Sequence, residues 1–362
     1  MAKRKLSEAE ARKVSQAVRH AKLVDTSRRI ARMVTHKDPP AASVKKRKSL
    51  EKSLGPWLRY YLPDLFPLRW SRDQRKAIKK IQRALDHGGL FAFAMARGGG
   101  KTTIVKGAVL YAILSGRRKY VVPIGATADL ATAIIDSVRQ QLMENEKLYK
   151  HYPHVCEYAR RTEGKAIKAR FQLRADGKAS GIRWSNTTLV LPEVLSPKTG
   201  KPYASNGAIV EAHGLTGAIR GKWKDTKTGK TLRPDFVIPD DPQTRESAES
   251  VAQCNARERI ITGDVLGLAG PRKKIAAVMP CTIIRKGDFA ERFLSHEIHP
   301  EWQGEISSLV IKWPDAQETL WKQYAEIYRE DVADGRETAR ATDFYRKRRS
   351  RMEKGATVSW AE

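Results

Sequence analysis

A glycine-rich segment that ends in a lysine restricts the fold of this chain more than any other feature. Residues 96–103 read Ala-Arg-Gly-Gly-Gly-Lys-Thr-Thr, and they lie between a predicted strand at 90–95 and a predicted helix at 102–114. A strand, a glycine turn and a helix in this order form a loop whose backbone N–H groups hold phosphate oxygens. The alternatives are a chance turn and a glycine-rich loop that touches nucleic acid. The order of the elements favours a nucleotide-phosphate site.

Each residue type in this segment has a chemical task. The glycines allow backbone N–H groups to approach phosphate, the lysine supplies a positive charge for the β- and γ-phosphates, and a threonine hydroxyl can ligate Mg²⁺. Met95 stands where the common spacing has its first glycine, so the match to that spacing is imperfect. The predicted nucleotide-binding residues of the loop are Gly98, Gly99, Gly100, Lys101, Thr102 and Thr103.

A second apolar segment ends in adjacent carboxylates. Residues 234–242 read Pro-Asp-Phe-Val-Ile-Pro-Asp-Asp-Pro. A strand that ends in this way can place acids at the edge of a sheet where α/β proteins bind ligands. We expect Asp240 to hold Mg²⁺ together with Thr102, and Asp241 to orient or deprotonate the attacking water. The alternative is a surface turn.

Apolar runs alternate with helical stretches along the middle of the chain. A strand is predicted at 120–124 and a helix at 126–143, and residues from about 315 onward are charged and helical. This alternation predicts a mostly parallel sheet with helices on both faces. Further strand-like runs lie at 182–191, 208–212, 236–238, 275–279 and 309–311.

The composition indicates a polyanionic partner. Lys and Arg number 69 against 40 Asp and Glu, a formal net charge of +29, and residues 1–50 alone carry fifteen basic and four acidic residues. We interpret this stretch as a basic arm that is helical in part; a solvated surface helix is the alternative. Nucleic acid is the favoured partner, because no amphipathic insertion face and no apolar run of roughly 18 residues indicates a membrane. Three scattered cysteines, of which Cys281 is expected to be buried, fit a reducing compartment.

The ordered set of motifs resembles the large terminase subunits of tailed bacteriophages. The resemblance begins with Arg97 directly before the glycines and with the later Asp-Asp-Pro, and it covers residues from about 65 to 362. Other segments that resemble the family are Trp-Ser-Arg-Asp-Gln at 70–74, Ala-Ile-Val-Glu-Ala-His-Gly at 208–214, Ile-Arg-Gly at 219–221, Val-Met-Pro-Cys-Thr at 278–282, Leu-Trp at 320–321, Asp-Phe-Tyr at 343–345 and Gly-Ala-Thr-Val-Ser-Trp at 355–360.

The resemblance implies a P-loop NTPase of the ASCE/RecA-like class that hydrolyses ATP with Mg²⁺ to drive DNA into a procapsid. It implies that Gln74 reads the adenine base, that Arg97 contacts the γ-phosphate, and that Thr282 senses its loss. Arg220 would be a phosphate-side or subunit-interface arginine. Asp241 departs from the family, in which many members have Glu, and its role as the base is less secure for that reason.

The resemblance also implies an organisation and a set of partners. We expect a basic N-terminal arm at 1–52, an ATPase domain at 53–313 and a helical linker at 314–362. The linker would lead to a nuclease domain, so this chain alone is not expected to cut DNA. The implied partners are double-stranded DNA, a portal protein, a small terminase subunit and further copies of the chain in a ring, with a separate nuclease as a further candidate. The expected location is the host cytoplasm and transiently the procapsid.

Two other functions remain open at this point. A superfamily-2-like helicase or another DNA translocase would share the nucleotide motifs. A non-catalytic DNA-binding assembly protein would share the basic charge.

Overall fold

The computed structural model describes residues 12, 14–19, 33–217, 219, 224–225, 231–270, 275–308 and 310–358. Its strands are β1 Leu90–Ala94, β2 Tyr120–Gly125, β3 Arg183–Trp184, β4 Thr188–Val190, β5 Ile209–Glu211, β6 His213–Gly214, β7 Lys224–Asp225, β8 Thr231–Leu232, β9 Phe236–Asp240, β10 Ala276–Cys281, β11 Trp302–Ile306, β12 Val310–Lys312 and β13 Thr357–Val358. Its α-helices are α1 at residues 14–19, α2 Ala41–Leu50, α3 Leu54–Tyr61, α4 Arg72–His87, α5 Lys101–Ser115, α6 Ala128–Glu144, α7 Glu146–His151, α8 Pro153–Arg160, α9 Ala166–Arg170, α10 Arg245–Glu249, α11 Val251–Arg259, α12 Phe289–Leu294, α13 Leu320–Ala333 and α14 Ala339–Glu353.

Nine strands form the central sheet, in the order β11-β1-β10-β9-β2-β5-β4-β3, with β6 also paired to β2. The pairs from β11 through β5 are parallel, and β4 and β3 are added antiparallel at one edge. The strand that precedes the glycine-rich loop, β1, is separated from the acidic strand β9 by one strand, β10. A strand inserted between the phosphate-loop strand and the acidic strand is typical of the ASCE division of P-loop NTPases. The predicted fold class is confirmed.

Successive side chains of the strands face opposite sides of the sheet, and each side has its own core. Phe91 and Phe93 of β1 face the helices α5 and α6, while Ala92 and Ala94 face α11 and α12. Most of α5 is buried against the first face. A helix that is apolar all round is typical of a central position in a layered fold. The predicted helices on both faces are therefore present.

Several predicted strands differ in extent from the observed ones. The run at 182–191 is two short strands, β3 and β4, because Ser185 turns the chain and its N–H donates to the Thr188 carbonyl at 2.9 Å. The run at 309–311 corresponds to β12, which pairs with β13 in a separate two-stranded sheet. The edge strand β11 has no counterpart in the sequence prediction.

Part of the segment predicted to be a basic arm packs on the folded body. Val34 is 3% exposed and belongs to the main core. Its N–H donates to the Leu173 carbonyl at 2.8 Å, and the Tyr158 hydroxyl donates to its carbonyl at 2.9 Å. The proposed division at residue 52 stays a prediction. No helix among the described residues is long and apolar enough to cross a membrane.

Candidate functional site

The glycine-rich loop has backbone conformations that require glycine. Gly98 and Gly100 adopt φ angles of +80° and +78°, in the left-handed region that residues with a Cβ rarely enter. The Gly99 N–H donates to the Ala96 carbonyl at 3.1 Å, which closes the turn, and Gly100 is the N-cap of α5. The loop therefore delivers the chain to the N-terminus of a buried helix, where free N–H groups and the helix dipole favour an anion.

Lys101 lies inside this turn. Its side chain is only 6% exposed, and its Nζ donates to the carbonyl of Met95 at 2.9 Å and to that of Ala96 at 3.4 Å. The ammonium is thereby held over the loop rather than directed to solvent. A buried cation without an anionic partner has a high desolvation cost, so a phosphate group at this place would be bound favourably.

Asp240 ends β9 next to the start of α5. Its carboxylate is 8% exposed and hydrogen-bonds the Thr102 side chain, whereas its Oδ1 atom has no hydrogen-bond partner among the described residues. The pKa of Asp240 is raised from its ordinary 3.8 to about 6, chiefly by burial and next by the charge of Asp241, against the opposite effects of Thr102, Lys101 and Lys106.

The carboxylate and the hydroxyl fit the binding of Mg²⁺. A hard divalent cation prefers oxygen ligands, retains several waters and often takes only one or two protein ligands together with phosphate oxygens. A buried carboxylate oxygen without a partner is the atom that such a cation, or a water bound to it, would satisfy. The described residues contain no group of three or more His, Cys, Asp or Glu side chains that could hold a metal. Thr102 and Asp240 stay the predicted ligands.

Asp241 and Thr282 come together although 41 residues separate them. β9 and β10 are parallel neighbours, so their carboxyl ends lie side by side. The Thr282 hydroxyl donates to Oδ2 of Asp241 at 3.2 Å, and the Asp241 N–H donates to the Pro280 carbonyl at 2.9 Å. Asp241 also adopts a φ of +41°, an unusual conformation for a residue other than glycine. Strain of this kind is often retained at functional sites.

Two buried polar residues behind this pair are absent from the sequence prediction. Nε2 of Gln243 donates to the Thr282 carbonyl at 2.9 Å and to Oδ2 of Asp288 at 2.8 Å. Asp288 is fully buried and also accepts the N–H groups of Ile284 at 2.7 Å and Glu291 at 2.9 Å. These bonds join the loop after β9 to the loop after β10. The only sequence signal was an amide directly after Asp-Asp-Pro.

Gln74 lies against the phosphate loop, where its side chain is already hydrogen-bonded. Its Oε1 accepts the Ser71 N–H at 2.9 Å in a capping box at the start of α4, and its Nε2 donates to the Gly99 carbonyl at 3.1 Å. The residue is 7% exposed. In this conformation the amide supports the loop, and reading of an adenine base by Gln74 stays a prediction.

The remaining predicted residues have different placements. Arg97 is exposed at the rim of the loop and forms no ion pair or hydrogen bond within the described part of the chain. Thr103 is half-buried in the first turn of α5. Arg220 lies outside the described residues. Cys281 is fully buried on β10, as expected, and burial raises the pKa of its thiol.

Comparison with known proteins gives matches among solved structures alone. No protein-family model matches the chain, and no curated protein sequence matches it. Similar structures include the ATPase domain of the large terminase of Thermus phage P74-26, at 17% identity and a TM-score of 0.36 over 73% of this chain and 92% of that one. A point-mutant form of the same domain matches at 16% identity and a TM-score of 0.35, over 73% of this chain and 93% of that one.

Both similar structures are ATPase domains of a phage large terminase. The fold is established by the chain's own geometry. A glycine loop joins β1 to α5, the acids follow β9, and β10 lies between those strands. The chain has the fold of a P-loop NTPase.

Proposed function

We propose that the chain is the ATP-hydrolysing motor portion of a terminase-type DNA packaging enzyme. The observation that carries the proposal is the convergence of Lys101, Thr102 and the unsatisfied Oδ1 of Asp240 at one end of the sheet. The buried ammonium at the start of α5 complements the phosphates of a nucleoside triphosphate, and the buried carboxylate beside it complements the cation that the phosphates carry.

In the proposed reaction each residue of the loop has a separate role. The N–H groups at the start of α5 and the Lys101 ammonium bind the β- and γ-phosphates and offset their charge. Thr102 and Asp240 hold Mg²⁺, which neutralises charge on the phosphate oxygens when it is bound. Asp241 accepts a hydrogen bond from the attacking water, and the Thr282 hydroxyl fixes the orientation of the Asp241 carboxylate.

Arg97 is proposed to complete the site from its rim. Its guanidinium is exposed and has no partner within the described part of the chain, so it can turn toward a γ-phosphate without breaking an existing ion pair. An arginine at that position stabilises the charge that develops in the transition state. Removing it should therefore lower kcat more than it changes the KM for ATP.

The proposed substrate of the motor is double-stranded DNA. A net charge of +29 supports a sequence-independent grip on phosphates, which should weaken steeply with salt. The proposal extends to a ring of copies on a portal and to a small terminase subunit as partner, with a separate nuclease as a further candidate. The proposed place of action is the host cytoplasm. A helicase of related fold would separate strands, so a strand-displacement assay distinguishes the two functions.

The test is ATP hydrolysis by the purified chain with Mg²⁺ and linear duplex DNA, followed as phosphate release. Lys101→Ala should abolish turnover because it removes the charge that binds the β- and γ-phosphates, while Lys79→Ala, an exposed lysine on α4, should leave it unchanged. Circular dichroism would show that both variants fold. Absence of turnover by the unaltered chain, even with the neighbouring phage proteins added, would reject the proposal.

A further inference from the structure

A second charged site lies at the amino ends of the parallel strands, whereas the phosphate loop lies at their carboxyl ends. A groove of about 1060 Å³ runs between α2 and the loop at residues 196–204. Lys119, which precedes β2, donates its Nζ to the carbonyls of Ala204 and Asn206, so this loop is fixed at the amino edge of the parallel strands. The phosphate loop follows β1 at the carboxyl edge. The 15 residues of α5 span the distance between the edges, about 22 Å.

The lining of the groove is strongly basic. Asp38 is the one acidic residue among its described lining residues. Five exposed lysines line the groove from both walls, and none of them forms an ion pair within the described part of the chain. They are Lys45, Lys48, Lys52, Lys198 and Lys201. The groove therefore carries an excess of positive charge, which favours an external anion.

Arg47 also lines the groove, but its guanidinium is occupied. Nη1 donates to the His151 carbonyl at 2.8 Å, Nε lies 3.7 Å from the Glu51 carboxylate, and the group stacks 5.3 Å from the ring centroid of Tyr152. Arg47 therefore anchors α2 to the helical layer below it. Lys45 and Lys48 of α2 are exposed in the groove, so their ammonium groups remain available.

The opposite wall is fixed by contacts that do not involve the ammonium groups of the five lining lysines. Oδ2 of Asp38 accepts the Ser196 hydroxyl at 2.7 Å and the Lys198 N–H at 3.0 Å, and its Oδ1 accepts the Tyr203 hydroxyl. The Tyr203 ring is stacked on His154 at 3.7 Å between centroids. These bonds occupy both oxygens of the Asp38 carboxylate and hold the loop beside α2. The groove is preformed.

We infer that this groove binds the sugar–phosphate backbone of a nucleic acid, an inference that rests on the DNA partner of the proposed function and assigns where that partner docks. Lysines on flexible stems bind phosphates as point charges and impose no fixed spacing, unlike the planar fork of arginine. Contacts to phosphates position a duplex without reading its sequence. An open groove with cations on both walls suits a continuous polyanion better than a single small anion.

The experiment compares two variants that lose equal charge. The groove variant carries Lys→Ala at 45, 48, 198 and 201, and the control variant carries Lys→Ala at four exposed positions elsewhere, namely 79, 165, 178 and 347. Binding of a fluorescent duplex is measured by anisotropy over a range of salt concentrations. Since each phosphate contact contributes about 0.9 to the slope of log K against log salt, the groove variant should lose up to about 3.6 of that slope and at least about tenfold in affinity. The control should bind within about twofold of the unaltered chain.

Two results would overturn the inference. Equal losses in the two variants would mean that overall charge, not the groove, binds the duplex. Unchanged duplex binding with loss of oligoglutamate binding in the groove variant would assign the groove to an acidic protein segment. Hydrolysis of ATP without DNA, measured on the same samples, separates this inference from the proposed function, because the four lysines lie far from the phosphate loop. If the groove binds duplex but the chain has no ATPase activity, the inference about the groove stands and the proposed function is rejected.

Discussion

Replacement of Asp240 by asparagine should make the nucleotide-free protein more stable while it abolishes ATP hydrolysis. The pKa of Asp240 is raised from 3.8 to about 6 by burial and by the neighbouring charge of Asp241. The folded state therefore binds the proton more tightly than the unfolded chain does. The free energy of unfolding therefore falls as the pH rises from about 4 to about 6, and the ionised carboxylate destabilises the fold at neutral pH.

The size of the effect follows from the same two pKa values. Their difference corresponds to about 3 kcal/mol at pH 7, since one pKa unit is about 1.4 kcal/mol. Asparagine has nearly the shape of protonated aspartate and carries no charge. The variant should thus equal the unaltered chain in stability near pH 4 and exceed it by up to about 3 kcal/mol at pH 7.

Urea unfolding at pH 4, 5, 6 and 7, with EDTA and without nucleotide, measures this difference through the fluorescence of buried tryptophans such as Trp57. Asp64→Asn, which changes an exposed carboxylate, is the matched control and should show no pH-dependent gain. The reasoning is refuted if Asp240→Asn gains nothing at pH 7, or gains the same amount at pH 4. Addition of Mg²⁺ and ATP should stabilise the unaltered chain more than the variant, because only the unaltered chain keeps the Asp240 carboxylate that is proposed to hold Mg²⁺.

Two further substitutions probe the site and the sheet. Thr282→Val keeps the side-chain shape but removes the hydroxyl that donates to Asp241, so kcat should fall about tenfold with little change in KM, and Thr282→Ser should restore it; a loss in KM alone would argue against an orienting role. Gly304→Ala on β11 would place a Cβ 2.4 Å from the Leu294 carbonyl oxygen and should cost about 1–3 kcal/mol of unfolding free energy, measured in urea. Gly263→Ala, with no atom within 4 Å, should cost nothing, and equal effects of the two changes would contradict the packing argument.

The features that the sequence predicted well are those encoded locally. A run of glycines before a lysine specifies a turn with positive φ, and the observed helix begins at Lys101 as that turn ends. The acids after β9 were found for the same reason, because a strand of apolar residues bounded by prolines and aspartates is visible within nine residues. Edge strand β11 was missed, since of its five residues only Trp302 is buried and it therefore lacks an apolar run.

Side-chain partnerships across distant segments could not be predicted. The resemblance implies that Gln74 reads the adenine base, and nothing in the sequence indicated that its amide bonds the Ser71 N–H and the Gly99 carbonyl. The bond from Gln243 to Asp288 joins residues 45 positions apart. Both depend on how helices pack against the ends of strands. A linear pattern does not contain that information.

The basic groove is the clearest case of this limit. Residues 45 and 48 belong to a segment that the sequence allows to be either a basic arm or a solvated surface helix, because charge alone does not distinguish these two structures. In the structure, Asp38 hydrogen-bonds Ser196, which is 158 residues away in the sequence. This bond brings Lys198 and Lys201 to face the lysines of α2. A charged surface becomes a site when its cations are held in fixed relation to one another, and here the Asp38 carboxylate holds them together with Lys119, which bonds the same loop. For this reason loss of Asp38 should weaken duplex binding although it makes the protein more basic.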